Sequence, residues 1–140
     1  MDMAKLASSK SKDRSRKVGC VIVGPDNEVR SIGFNGFPRG IDDSIEKRHQ
    51  RPLKYKWVAH AELNAVANAA RAGIRTDGCA IYIPWLACSE CAKAIIQAGI
   101  RRIVCVDAYP DDPIWKDDMQ LALEMLIEAG VKVRYYCEEA

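Results

Sequence analysis

A chain of 140 residues, 49% hydrophobic and 29% charged, is long enough to bury one core without disulfide staples, and this ordinary composition excludes a disordered, collagenous or disulfide-scaffold protein. No apolar run approaches a membrane span and the first residues lack the apolar core of a secretory signal, so a cytoplasmic protein folded as one domain over residues 1–140 is expected, with no membrane partner. The net charge is only +2 but uneven: residues 1–17 hold six Lys/Arg against two Asp, and residues 107–140 nine acids against three bases.

Solvated faces at opposite ends of the chain are the simpler reading of that asymmetry; the sharper one has Arg14, Arg16 and Lys17 facing an anion such as a phosphate. Neither amounts to the basic surface that duplex nucleic acid needs. The leading MAKLASSK reads as the end of a helix. KVGCVIVG and VRSIGFN then flank PDNE, a turn of the right chemistry for a hairpin. Residues 41–56 are polar and aperiodic and read as a long loop, a kind of segment that is often functional. WVAHAELNAVANAARAG predicts a helix with a stripe of Leu63, Val66, Ala67 and Ala70. Three helical runs end alike, in Ala72-Gly73, Ala98-Gly99 and Ala129-Gly130, each Gly suited to the left-handed residue that closes a helix. A strand follows each: CAIYIP, RRIVCVD and VKVRYY. Alternating helices and strands after an opening hairpin predict an α/β protein, a three-layer α/β/α sandwich around a five-stranded mixed sheet with right-handed crossovers. Cys20, Cys79, Cys105 and Cys137 lie in or beside apolar strand-like runs and are expected to be buried small hydrophobes.

Cys88 and Cys91, in IPWLACSEC, have a spacing that asks for chemistry. They fall where a strand ends and a helix begins, and backbone N–H groups there favour thiolates. A redox pair would leave His60 and Glu62 unexplained. A closed structural zinc site would need a fourth ligand that no second C-x-x-C supplies. A catalytic zinc site needs three ligands, an open position and a nearby acid–base group. His60, Cys88 and Cys91 supply the ligands and Glu62 the fourth role. His60 and Glu62, two apart, share no face in mid-helix. At a helix start both can address one point.

HAE followed by CSEC after a proline resembles the H-x-E…P-C-x-x-C signature of zinc-dependent nucleobase deaminases. GFNGFPRG, HAELNAV, KVGCVIV and ECAKAIIQAGIRRIV extend the resemblance over nearly the whole chain, toward deoxycytidylate deaminases. The resemblance implies one catalytic Zn2+ per chain, with Glu62 moving a proton from water to the ring and then to the departing amine. Its two thiolates cancel the charge of the metal, so the two helix N-termini are needed to keep water acidic there. It also implies that Asn35 bonds the base or sugar, that the Ala61 backbone meets the base edge, and that Trp85 walls the pocket. Arg39 is a candidate for a phosphate. DAYPDDPIWKDD reads as a rim loop whose Tyr109 and Trp115 stack on the substrate. The expected substrate is a small nucleotide, dCMP before others, rather than RNA or single-stranded DNA, for which a basic groove with interleaved aromatics is missing. Free cytosine, a nucleoside, a modified pyrimidine or guanine, and a degenerate zinc-bound interaction domain, are the alternatives. Relatives are usually oligomers, so a homo-oligomer is expected. One departure stands out: Ala87 occupies the place of the proline that family members usually put before the first zinc cysteine.

Overall fold

Gly73, Gly99 and Gly130 close their helices as the pattern predicts. All three are left-handed, with φ of 70°, 74° and 79°. The next residue in each case bonds back to the last turn: Ile74 N–H to Ala69, Ile100 N–H to Ile95 and Val131 N–H to Leu126, the pairing that satisfies orphan helix carbonyls. These three junctions divide the chain into its repeating helix–strand units. The computed structural model describes residues 1–107 and 112–137. Its elements run α1 (Asp2–Ser8), β1 (Gly19–Val23), β2 (Val29–Phe34), a short 3-10 turn (Glu46–His49), α2 (Lys54–Trp57), α3 (Ala61–Ala72), β3 (Ala80–Trp85), α4 (Ser89–Gln97), β4 (Arg102–Asp107), α5 (Pro113–Glu128) and β5 (Lys132–Tyr135).

The sheet order is β2-β1-β3-β4-β5. β1 lies antiparallel to both β2 and β3, whereas β3, β4 and β5 are parallel, so the sheet is mixed as expected. In the hairpin turn Asn27 takes the positive φ, at 63°, which asparagine tolerates better than most residues. One face of the sheet carries Cys20, Ile22, Ile81, Ile83, Ile103 and Cys105, and α3, α4 and α5 cover it with alanines, isoleucine and leucine. The opposite face takes α1, which lies so close to Gly19 that a Cβ there would strike its backbone. The protein is thus the three-layer α/β/α arrangement, with most of the core on one side.

Four expectations need correction. In α3 the buried stripe is Ala61, Ala65 and Ala69, while Leu63 is 45% exposed. The helix lies against Gly33 and Ser31 of β2 too closely for anything larger than alanine. The loop over residues 41–56 holds the 3-10 turn and runs into α2, whose register bonds are local. Trp115 stands on α5 rather than in a loop, because Asp112 and Pro113 start that helix as N-cap and first residue, an arrangement both residue types favour. Cys137 is exposed beyond the end of β5, unlike Cys20, Cys79 and Cys105.

Candidate active site

Two helix starts meet at the carboxyl end of β3. His60 is the N-cap of α3, with φ −71° and ψ 159°. Cys88 is the N-cap of α4, with φ −70° and ψ 169°. Both are extended residues at the mouth of a helix, so their side chains leave the axis end and can face one another. Cys91 stands in the first turn of α4, three residues on. His60 Nδ1 lies 3.3 Å from Cys88 Sγ and 3.5 Å from Cys91 Sγ, and all three ligand atoms fall within 4.8 Å of one another. Zn–S and Zn–N bond lengths in a tetrahedron give N···S edges of about 3.5 Å. The donor set therefore fits zinc in both chemistry and spacing.

The protonation of the three groups fits as well. A hydrogen bond with Cys88 raises the His60 pKa to about 9 against the opposing effect of burial. The Cys91 thiol, and then His60, bring Cys88 down to about 4. Cys91 is driven upward by sharing its proton with Cys88 and by burial. A thiolate held between two proton-bearing partners is a site where a dication replaces protons, as thiol and imidazole ligands require. Glu62 lies in the first turn of α3, 8% exposed. Burial raises its carboxyl pKa, with the His60 charge pulling the other way, a setting that suits a group passing protons near neutral pH.

One cavity opens beside these residues. Asn35, His60, Ala61, Glu62, Trp85 and Cys88 all line it. Ala61 sits at the start of α3 and Trp85 at the end of β3. Asn35 Oδ1 accepts from Val18 N–H and its Nδ2 donates to the Arg16 carbonyl, both at 2.8 Å. Its amide therefore already ties the 16–18 segment to the end of β2, leaving one N–H and one lone pair for other partners. Arg39 is not part of the lining; it is exposed and donates to Asn68 Oδ1 at 2.7 Å. Tyr109 lies outside the described residues.

Arg16 and Trp115, each a candidate from the sequence, complete the wall together with residues that no motif marks. Arg16 lines the cavity with its guanidinium 4.8 Å from the centre of the Trp85 ring, while Arg14 turns to Glu46 at 2.6 Å. Arg51, Lys54 and Tyr55 reach the cavity from the segment leading into α2. Lys54 Nζ meets Asp13 Oδ1 at 2.9 Å, with side-chain exposures of only 12% and 4%. Asp13 Oδ1 also accepts the Ser15 and Arg16 backbone N–H groups. Burial alone would raise the Asp13 pKa, but these bonds outweigh it and leave it below the usual carboxylate value. Trp115 closes the far side, edge-on to His60 at 5.9 Å between ring centres and to Tyr55 at 5.8 Å. Aromatic residues on a segment next to a predicted metal ligand are the one signal that points to such a wall. Nothing in the spacing says which cations join it.

Known proteins agree with this geometry. Residues 1–107 match the family described as the cytidine and deoxycytidylate deaminase zinc-binding region. The chain is 39% identical to an uncharacterized deaminase in the luxG 3' region of Aliivibrio fischeri, over 95% of this chain and 88% of that protein. It is 36% identical to human deoxycytidylate deaminase, over 97% of this chain and 76% of that one. Among solved structures it resembles the dCMP deaminase of cyanophage S-TIM5 in complex with dCMP and dUMP, with a TM-score of 0.77 at 26% identity, covering 96% of this chain and 92% of the other. The matched stretch contains both helix starts and all three metal-ligand candidates, and the chain belongs to the cytidine and deoxycytidylate deaminase family that this zinc-binding region defines.

Proposed function

We propose that the protein is a zinc-dependent hydrolytic deaminase that converts dCMP to dUMP and ammonia, with His60, Cys88 and Cys91 as zinc ligands and Glu62 as proton carrier. The observation that carries this reading is a buried carboxylate lining the same cavity as His60 and Cys88, two members of a His–Cys–Cys cluster of zinc-binding dimensions. A purely structural metal site has no use for that carboxylate. Zinc, when bound, supplies Lewis acidity that makes a water molecule give up a proton near neutral pH. Glu62 takes that proton and delivers it to the ring nitrogen beside the amino-bearing carbon. The water oxygen bonds to that carbon, the carbon–amine bond breaks, and Glu62 relays the second proton to the departing ammonia. Trp85, Trp115 and Ala61 all line the cavity, which supports a base held between the two rings with its edge toward the Ala61 backbone.

A nucleotide is favoured over a nucleoside by Arg16 and Arg51. Both line the cavity, and neither pairs with a carboxylate among the described residues. Planar guanidinium groups match a phosphate in two-point contact. They take the role for which the sequence suggested Arg39. The relatives named for deoxycytidylate deamination support the choice of base and sugar.

The whole chain is read as one catalytic domain. A homo-oligomer is supported by apolar side chains left outside, including Ile114 at 70% and Ile127 at 64% exposure on α5. No helix among the described residues is long and apolar enough to cross a membrane. Six unpaired cysteines suit a reducing compartment such as the cytoplasm.

Ammonia release from dCMP, CMP, deoxycytidine, cytosine, 5-methyl-dCMP and guanine tests the reading. The expected result is turnover of dCMP ahead of the rest. Glu62→Gln is expected to lower kcat by roughly 10²–10⁴-fold while zinc content stays unchanged. Turnover of no substrate, or a Glu62→Gln variant as fast as the parent, overturns the proposal.

A further inference from the structure

The start of α4 lacks a cap of its own. A helix leaves its first backbone N–H groups without intrahelical partners, and an N-cap oxygen normally takes one of them. Here the N-cap is Cys88, whose side chain makes no capping bond. The missing acceptor comes from another helix. Asp118 of α5 accepts the Ser89 backbone N–H on Oδ2 at 2.8 Å and the Ser89 hydroxyl on Oδ1 at 2.6 Å. Both oxygens of one carboxylate are therefore spent on the residue that follows Cys88. One turn earlier on α5, the Trp115 ring lies edge-on to His60. The first part of α5 thus touches both helix starts that present the ligands.

We propose that Asp118 is a positioning residue of the metal site: by capping α4 through Ser89 it fixes the direction of the first turn and so the mutual placement of the Cys88 and Cys91 sulfurs. The inference rests on the reading of His60, Cys88 and Cys91 as zinc ligands. The two bonds are charge-assisted, which makes them shorter and roughly twice as strong as neutral ones. The carboxylate also stands at the positive end of the α4 dipole, where a negative charge is favourable. Groups that orient metal ligands from behind carry a measurable share of metal affinity. A carboxylate that only glued α5 to α4 would stabilise the fold equally with and without metal.

That difference is what the experiment reads. Zinc affinity is measured by competition with a chromogenic chelator, and melting temperature is measured with and without zinc, on the full chain. Asp118→Ala is expected to weaken zinc binding about 10–100-fold and to lower the melting temperature of the zinc-loaded form more than that of the zinc-free form. Asp118→Asn keeps size and one acceptor, so it carries the test if the alanine variant does not fold; its expected loss is roughly threefold to tenfold. Ser89→Ala removes only the hydroxyl and is expected to fall between the parent and Asp118→Ala. Zinc affinity unchanged within about twofold in the Asp118 variants, with both melting temperatures falling together, overturns the inference and leaves a packing contact. A parent protein that takes up no zinc overturns the ligand assignment, and this inference with it.

Discussion

The starts of α3 and α4 have nearly the same backbone conformation and present ligands to the same point, yet they are held in different ways. α3 is seated by close backbone approach. Gly33 of β2 has no Cβ, which lets the Ala61 carbonyl and Ala65 N–H come down onto the sheet, and the buried Cys20 thiol donates to that same carbonyl at 3.1 Å. Asn64 adds a bond from its amide to the Phe34 carbonyl at 2.8 Å. α4 begins at the end of β3 with Cys91 and Ala92 buried in the core, and a side chain ties its first turn across to α5, the Asp118 carboxylate. Contact between backbones is stiff because neither side can rotate away, whereas a side-chain tether is adjustable. On this ground we expect His60 and Glu62 to ride on the stiffer half of the site and the two cysteines on the more compliant half.

The most severe way to break this arrangement is Gly33→Ala. A Cβ at that position would lie under 3.0 Å from the Ala61 carbonyl oxygen and the Ala65 nitrogen, both backbone atoms. Relief requires α3 to lift, and His60 with it. We expect a loss of about 3 kcal/mol in stability, read by urea unfolding, with zinc content reduced in parallel. A variant as stable as the parent would mean that α3 is not seated in this way.

Removing zinc sharpens the contrast without changing a residue. Chelation is expected to raise amide hydrogen exchange in the first turn of α4 about tenfold more than in the first turn of α3, because α3 keeps its backbone seat on Gly33 whereas the start of α4 loses the metal from both of its thiolates. Equal rises at the two helix starts would remove the distinction between a rigid and a compliant half.

The smallest effect belongs to Ala87, which is fully buried just before Cys88. Ala87→Pro restores the residue usual in the family and stiffens the approach to α4. The expected gain is about 0.4–1 kcal/mol, chiefly through the unfolded chain, with zinc content unchanged. A large loss of stability would show that the Ala87 N–H or its backbone angle is needed here.

Much of the site was legible because its chemistry is carried by rare residue types at short spacing. Two histidines in the whole chain, and one Cys-x-x-Cys, leave few ways to assemble a zinc site. Asn35, Ala61 and Trp85 were named by the resemblance to the deaminases rather than by spacing, and all three line the cavity with Glu62. Arg39 shows where that logic stops. It follows the Asn-Gly turn where a phosphate ligand was expected, but it points to Asn68 on the surface. Of the three N-terminal cations considered for an anion, Arg16 lines the cavity while Arg14 pairs with Glu46, and Arg51 joins the lining from a stretch that looks like any solvated basic segment. Leu63 shows a second limit. The apolar pattern groups it with Val66, Ala67 and Ala70, but the face laid on the sheet is that of Ala61, Ala65 and Ala69, which leaves Leu63 nearly opposite.

Local pattern was enough for the alternation of elements, the three glycine helix stops, the candidate metal ligands and the carboxylate beside them. Each of these follows from backbone preference or from the chemistry of one short motif, which the chain carries wherever it folds. Long-range packing governs the rest: which cations face the cavity, why Asn35 is bound to the Arg16–Val18 segment, and how α4 is capped. Those outcomes depend on residues far apart in the chain, Asp13 with Lys54 and Ser89 with Asp118. No short stretch encodes such a meeting, because it is the packing of α5 and the 50–57 segment against the sheet and its helices that brings the partners within bonding distance.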